Sequence, residues 1–233
     1  ASAFYRIQVM KNILARGGIE FLAVLLGITG SLYIDNNNRV RELDEQRAEV
    51  YSLLKKQIED LREYSDERLN LYNSQVNLME DLVSNWDTFK PSSIDNKDRY
   101  VEDIWFSIKN SFKPDLSTYE TLLNSGEINI IDFETIKLFG KLHGFIQEIH
   151  DVQKKELVAR DFVEQRFLLE HSKYFKKYSM PYDLLELLDA TRKDEVIYAN
   201  LKFILSIKTS RNLRILSLKK KIKNLEVHLR RIK

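Results

Sequence analysis

The sequence predicts an all-α protein in which one N-terminal transmembrane helix precedes an extended antiparallel bundle of three long helices with a short helical insert. Three observations predict this fold. One apolar stretch is long enough to span a bilayer, apolar residues elsewhere recur in steps of three and four, and only seven glycines and three prolines occur among 233 residues. So few chain breakers favour long helices over a β architecture with many turns.

The apolar stretch GGIEFLAVLLGITGSLYI, residues 17–34, predicts the transmembrane helix. A helix of this length rises about 27 Å, which is close to the ~30 Å hydrocarbon core of a bilayer. Residues 1–16 contain three basic residues and no acid, so we expect a short basic cytoplasmic tail and residues 35–233 on the opposite side. A cleavable signal peptide and a buried central helix of a soluble bundle are the alternatives with a similar pattern.

One face of this predicted span carries an acid and several small residues. We expect it to form a helix–helix interface in the membrane, made of Glu20, Ala23, Gly27, Gly30 and Ser31. Small residues spaced by four allow two helices to approach closely in lipid. Glu20 has two interpretations: it reaches the headgroup layer or a nearby cation, or it lies in the interface and serves an ion path or an assembly.

Apolar periodicity then predicts the helices of the remaining domain. The long helices are expected at about residues 39–89, 133–178 and 194–231, and the short ones at about 98–112, 118–125 and 182–189. Whether the first long helix is continuous with the membrane helix stays open.

Capping signals mark some of the helix ends. Ser117 and Glu120 have capping-box spacing, Gly126 is a natural C-cap, and Asp132 is an expected N-cap. Short connections imply antiparallel neighbours. We therefore expect the third long helix to end far from the membrane.

The last part of the chain is strongly basic, with ten Lys or Arg residues and one acid between Lys208 and Lys233. Its densest part, named here the basic patch, consists of Lys219, Lys220, Lys221, Lys223, Arg230 and Arg231. Such a cluster is either a solvated helix face or a surface for an anionic partner. It lacks interleaved aromatic residues, so nucleic-acid binding is not expected.

Two stretches resemble a large uncharacterised family of bacterial single-pass membrane proteins. EFLAVLLGITGSLYIDNNN is similar to the family's N-terminal span, which precedes a long helix. YETLLNSGEINIIDFETIKLFGKL is similar to its second hallmark, at the matching positions Tyr119, Leu122, Ser125, Gly126, Ile130 and Ile131. The resemblance implies an inner-membrane anchor that carries a helical, periplasmic domain.

Signals for catalysis are weak. The sequence has no cysteine nucleophile, no Gly-rich phosphate loop and no Gly-x-Ser-x-Gly elbow. His143 and His150 lie seven residues apart, whereas helical zinc pairs usually lie four apart. We therefore expect no enzyme activity, metal or cofactor, and the sequence identifies no small-molecule substrate.

The expected function is that of a membrane-anchored interaction or scaffold protein, either an accessory subunit of a membrane assembly or a homo-oligomer. Its partners would be membrane lipid together with other membrane subunits or further copies of itself. The alternatives are a subunit of an ion-conducting or ion-driven complex, with Glu20 as the titrating group, and a soluble regulator with a buried first helix.

Overall fold

The computed structural model of the chain describes residues 2–90, 111–175 and 184–232, with side chains at residues 24–90, 111–173 and 187–232. These residues form helices and no strand, so the all-α prediction is confirmed for the described part of the chain. The chain divides into two compact units, Ala1–Tyr51 and Ser52–Lys233.

The helices are numbered here in chain order. They are α1 (Ser2–Ser84), α2 (Ser117–Ser125), a 3-10 turn (Glu127–Ile130), α3 (Phe133–Glu170), α4 (Ser172–Phe175), α5 (Leu184–Ala190) and α6 (Glu195–Arg231).

The first helix is continuous through the polar cluster of residues 35–38, so the first long helix continues the apolar stretch, a point that the sequence left open. Asn and Asp cost a helix only about 0.7 kcal/mol each relative to Ala. A polar cluster of this kind therefore changes the hydropathy of the helix without ending it. The helix predicted at 98–112 lies largely outside the described residues, and residues 111–112, which are described, are not helical.

The later helices agree closely with expectation, except at the end of the second long one. That helix ends at Glu170, and α4 follows after one residue; residues 176–178 of the predicted helix lie outside the described part. The helix predicted at 182–189 is found as Leu184–Ala190, and residues 182–183 are not described.

Two of the three predicted caps are confirmed. Gly126 ends α2 in the left-handed region, at φ +77°, which glycine adopts without the penalty that a Cβ brings. Asp132 precedes α3 and accepts a hydrogen bond from the backbone N–H of Thr135. The capping box is wrong, because Ser117 is already helical and its own N–H donates to Asp115 Oδ1 at 2.8 Å.

The expectation of antiparallel neighbours throughout is wrong for the first two long helices. Gln75 and Glu156 both contact Arg211, while Arg62 contacts Glu226 farther along α6. Residue numbers thus rise along α1 as they fall along α6. The same holds for α3, because Thr135 near its start contacts His228 near the end of α6. Since α6 is antiparallel to both, α1 and α3 are parallel to each other.

The connection between α1 and α3 explains this topology. After α1 the chain returns alongside that helix, where the Lys113 N–H donates to Tyr64 Oη at 2.8 Å and the Tyr119 N–H donates to Gln57 Oε1 at 3.3 Å. The third long helix then ends beside the earlier part of α1, with Lys55 Nζ 3.2 Å from the Ile232 carbonyl oxygen. The basic end of α6 therefore lies at the same end of the bundle as Ser52, the first residue of this unit.

The core of this unit follows heptad spacing along α6. The buried positions that follow this spacing are Leu201, Ile204, Lys208, Arg211, Ile215, Leu218, Ile222, Leu225 and Leu229. They alternate in steps of three and four, as in helices that pack knobs-into-holes. Two of these core positions carry charge, and they belong to the candidate site.

Candidate functional site

The described part of the predicted span leaves its apolar side chains exposed. Seven large apolar residues between Val24 and Ile34 are 45–70% exposed. A Cβ added at Gly27 or at Gly30 would meet no heavy atom within 4 Å, and Ser31 is exposed as well. The side chains of Glu20 and Ala23 lie outside the described residues. Nothing described in the chain covers this segment, which is named here the apolar segment (residues 24–34).

A search of the described residues finds no helix long and apolar enough to cross a membrane. The side chains of residues 17–23, the first part of the predicted span, lie outside the described part of the chain.

The basic patch is partly used within the fold. Lys219 forms an ion pair with Asp66 of α1, and the Lys221 ammonium lies 4.9 Å from the centroid of the Phe145 ring. By contrast, four exposed members form no hydrogen bond or ion pair with any described residue: Lys220, Lys223, Arg230 and Arg231. These four are the cations that the fold leaves for solvent or for a partner.

The family-like motif builds the corner between α2 and α3. Tyr119 is buried and its ring stacks on Phe139, with centroids 4.9 Å apart. Leu122 and Ile131 are buried and Ile130 is half-buried. The hydroxyl of Ser125 accepts from the Glu127 N–H just after Gly126. These contacts are those of a packed helix turn, so the structure gives the motif a folding role.

The four histidines each contact a residue of another segment. His150 Nε2 lies 2.8 Å from the Phe112 carbonyl oxygen, and His228 Nε2 lies 2.9 Å from Thr135 Oγ1. His171 pairs with Asp194, and His143 lies 3.8 Å from Glu120. In the described part of the chain, no three His, Cys, Asp or Glu residues converge as a metal site would need.

A cluster of buried charges at the centre of the bundle is the feature that sequence reasoning missed. Glu156 of α3 binds two cations of α6, with Lys208 Nζ 2.7 Å from Oε1 and Arg211 Nη1 2.7 Å from Oε2. All three side chains are at most 6% exposed. The second terminal nitrogen of Arg211 donates to Gln75 Oε1 of α1 at 3.3 Å. One charged layer thus joins all three long helices.

An aromatic ring completes this layer. The guanidinium of Arg211 lies 3.8 Å from the centroid of the Tyr72 ring, a distance at which a cation is attracted to the ring face. Burial raises the pKa of the Tyr72 hydroxyl to about 12, so this group stays neutral beside the cation. Tyr72 therefore contributes no negative charge to the layer.

The cluster holds more positive than negative charge. Burial lowers the pKa of Lys208 from 10.5 to about 8, because the cost of desolvating the ammonium group exceeds the attraction of Glu156. At neutral pH Lys208 still carries its proton. Two buried cations then share one carboxylate, an arrangement whose desolvation cost is high.

A signal for this cluster was present in the sequence. Lys208 and Arg211 occupy positions of the α6 heptad where Leu and Ile stand before and after them. Charged residues at such positions are costly unless they find partners across the interface. The two residues also belong to the basic end of the sequence, which makes their position among the buried residues of α6 hard to recognise.

Comparison with known proteins finds no matching family, curated protein or solved structure. The family indicated by the two sequence motifs stays a prediction.

Proposed function

We propose that this chain is a membrane-anchored helical interaction protein that works as an accessory subunit of a membrane assembly or as a homo-oligomer. The exposure of the apolar segment carries this proposal. Each exposed apolar Å² in water costs about 25 cal/mol, and contiguous apolar surface of this kind marks a site covered by protein or lipid.

The charge pattern before this segment supports an orientation. Arg6, Lys11 and Arg16 precede it, and basic residues in short flanking segments favour the cytoplasmic side. The proposed location is the inner membrane of a bacterium, with the unit Ser52–Lys233 on the periplasmic side. That unit has a closed core of its own, so it can fold outside the lipid.

The proposed assembly uses the small residues of the apolar segment. Gly27 and Ser31 lie four residues apart and have room around them, which suits the close approach of a second helix. Thr29 lies on the opposite face, because two residues correspond to 200° around a helix.

The experiment is purification of the full chain from membranes in mild detergent, with particle mass and mass spectrometry of the subunits. A particle at a multiple of 27.6 kDa indicates a homo-oligomer, and stoichiometric foreign subunits indicate an accessory role. We expect Gly27→Leu to reduce the particle mass and the matched variant Thr29→Leu to leave it unchanged. A monomer for the unsubstituted chain contradicts the proposal.

A further inference from the structure

A cavity of about 350 Å³ lies beside the buried charge cluster, within the unit Ser52–Lys233. Its wall is formed by the segment that precedes α2, by α3, and by Arg211 of α6. Binding sites for small molecules begin at about this volume. The cavity is therefore large enough for a small ligand.

The charged side chains around this cavity are mostly cationic. Lys113 and Lys154 line it together with Arg211, and Glu156 is the acid in the lining. Both carboxylate oxygens of Glu156 are already bound by cations of α6. Its negative charge is therefore not free to offset the two lysines.

Other charges nearby leave the balance positive. Asp151 lies 3.3 Å from Lys154 and offsets that lysine. Lys208, which is buried and pairs with the same carboxylate of Glu156, adds a further cation. Thus Lys113 adds a positive charge to the lining that no described carboxylate of this group offsets.

Two buried donors of the charge cluster also lack a hydrogen-bond partner among the described residues. The Nε of Arg211 and the amide nitrogen of Gln75 are buried, and neither forms a hydrogen bond with a described residue. Unpaired buried donors are rare in folded proteins and call for an explanation such as a bound ion or ligand. Arg211 is itself a wall residue of the cavity and is 1% exposed.

From the cavity, the charge balance and the unpaired donors together, we infer that this cavity binds a small molecule that bears an oxyanion group, either a carboxylate or a phosphate. The Nε–H of Arg211 and the ammonium groups of Lys113 and Lys154 are charged donors, which form strong hydrogen bonds with oxyanion oxygens. Leu157 and the aliphatic stems of the lysines supply an apolar wall for the rest of the ligand. The bound anion lies against the cations that line the cavity.

The test is isothermal titration of the purified full chain with sodium butyrate, inorganic phosphate and neutral butyramide at constant ionic strength. We expect saturable binding of at least one anion at one site per chain, and none of butyramide. Saturation by butyrate alone assigns a carboxylate ligand, and saturation by phosphate alone assigns a phosphoryl ligand.

Variants at the rim locate the site without disturbing the core. We expect the double variant Lys113→Gln, Lys154→Gln to weaken anion binding by roughly tenfold, because two cations near the ligand are lost. Lys155→Gln removes a neighbouring exposed charge that does not line the cavity, and we expect it to bind as the parent does. Failure of both anions to bind, or equal weakening by Lys155→Gln, overturns the inference.

Discussion

Arg211 donates to Glu156 across the interface of α3 and α6 at 2.7 Å, and both side chains are almost completely buried. The same carboxylate also holds Lys208 at 2.7 Å. One acid on α3 therefore fixes the register of α6, since a slip of either helix would leave buried charges without a partner. Polar groups at core positions of helical bundles are known to specify register in this way.

Replacing Glu156 by Gln removes the charge that both cations share. We expect the free energy of unfolding to fall by about 3–5 kcal/mol, because breaking a buried pair leaves uncompensated charge. Urea denaturation followed by circular dichroism measures the change. The matched control is Glu148→Gln, which breaks the exposed pair with Arg214, also 2.7 Å long; we expect a loss below about 1 kcal/mol. Equal losses of unfolding free energy in the two variants would show that the buried pair stabilises the fold no more than the exposed pair does.

Lys208 makes the stability of the fold depend on pH in the alkaline range. Its folded pKa is about 8 and its ordinary value is 10.5, so between these values the unfolded chain binds more protons than the folded chain. The contribution of Lys208 to the free energy of unfolding therefore rises as the pH increases from 8 to 10.5. Below pH 8 the folded chain bears the full cost of burying the charged ammonium group. We expect the difference in unfolding free energy between the parent and Lys208→Met to shift in favour of the parent between pH 8 and 10.5. Parallel profiles would contradict the depressed pKa.

Two glycines should respond to alanine with opposite signs. Gly126 has φ +77°, so Gly126→Ala forces a Cβ into the left-handed region and should destabilise the unit by about 1 kcal/mol. Gly144 lies inside α3 on an exposed position, and an added Cβ meets nothing within 4 Å. Gly144→Ala should therefore stabilise by about 0.5–1 kcal/mol. Thermal unfolding of both variants measures the signs, and destabilisation by Gly144→Ala would contradict the helix position.

The parallel arrangement of α1 and α3 brings the end of α6 beside Lys55. The chain has no native cysteine, so introduced cysteines can be linked selectively. We expect a short bismaleimide to link Lys55→Cys with Ile232→Cys within one chain. Lys193→Cys lies before the other end of α6, more than about 50 Å along the helix at 1.5 Å per residue, and should not link to Lys55→Cys. The reverse result would restore the up–down–up topology.

The periodic parts of this fold could be predicted from the sequence, and the order in which they pack could not. Steps of three and four placed α6 and the start of α3 within one residue, and Gly126 and Asp132 marked real helix ends. Short loops favour antiparallel neighbours, yet the segment between α1 and α2 is long enough to return along the bundle. That outcome depends on contacts such as Tyr64 with Lys113, which have no local signature.

The candidate site was hidden for a different reason. Lys208, Arg211 and Glu156 belong to residue types that are mostly exposed, so composition assigns them to the surface. Only their position in the heptad, between Leu and Ile residues, indicates burial. The partner of each charge is 52 to 55 residues away in the sequence, and pairing at that range is settled by the packed bundle.

Membrane partition tests the central proposal most directly. The full chain is expressed, membranes are washed with alkaline carbonate, and the fraction of the chain in the pellet is measured. Leu26→Lys with Leu32→Lys places charge in the apolar segment, whereas Leu213→Lys with Leu216→Lys changes two exposed leucines of α6 as a matched control. We predict that the parent and the control stay in the pellet and that the first variant moves to the soluble fraction, because a lysine at the centre of a span, as at residue 26, costs about 3 kcal/mol. A parent chain that stays soluble without detergent would contradict the membrane anchor.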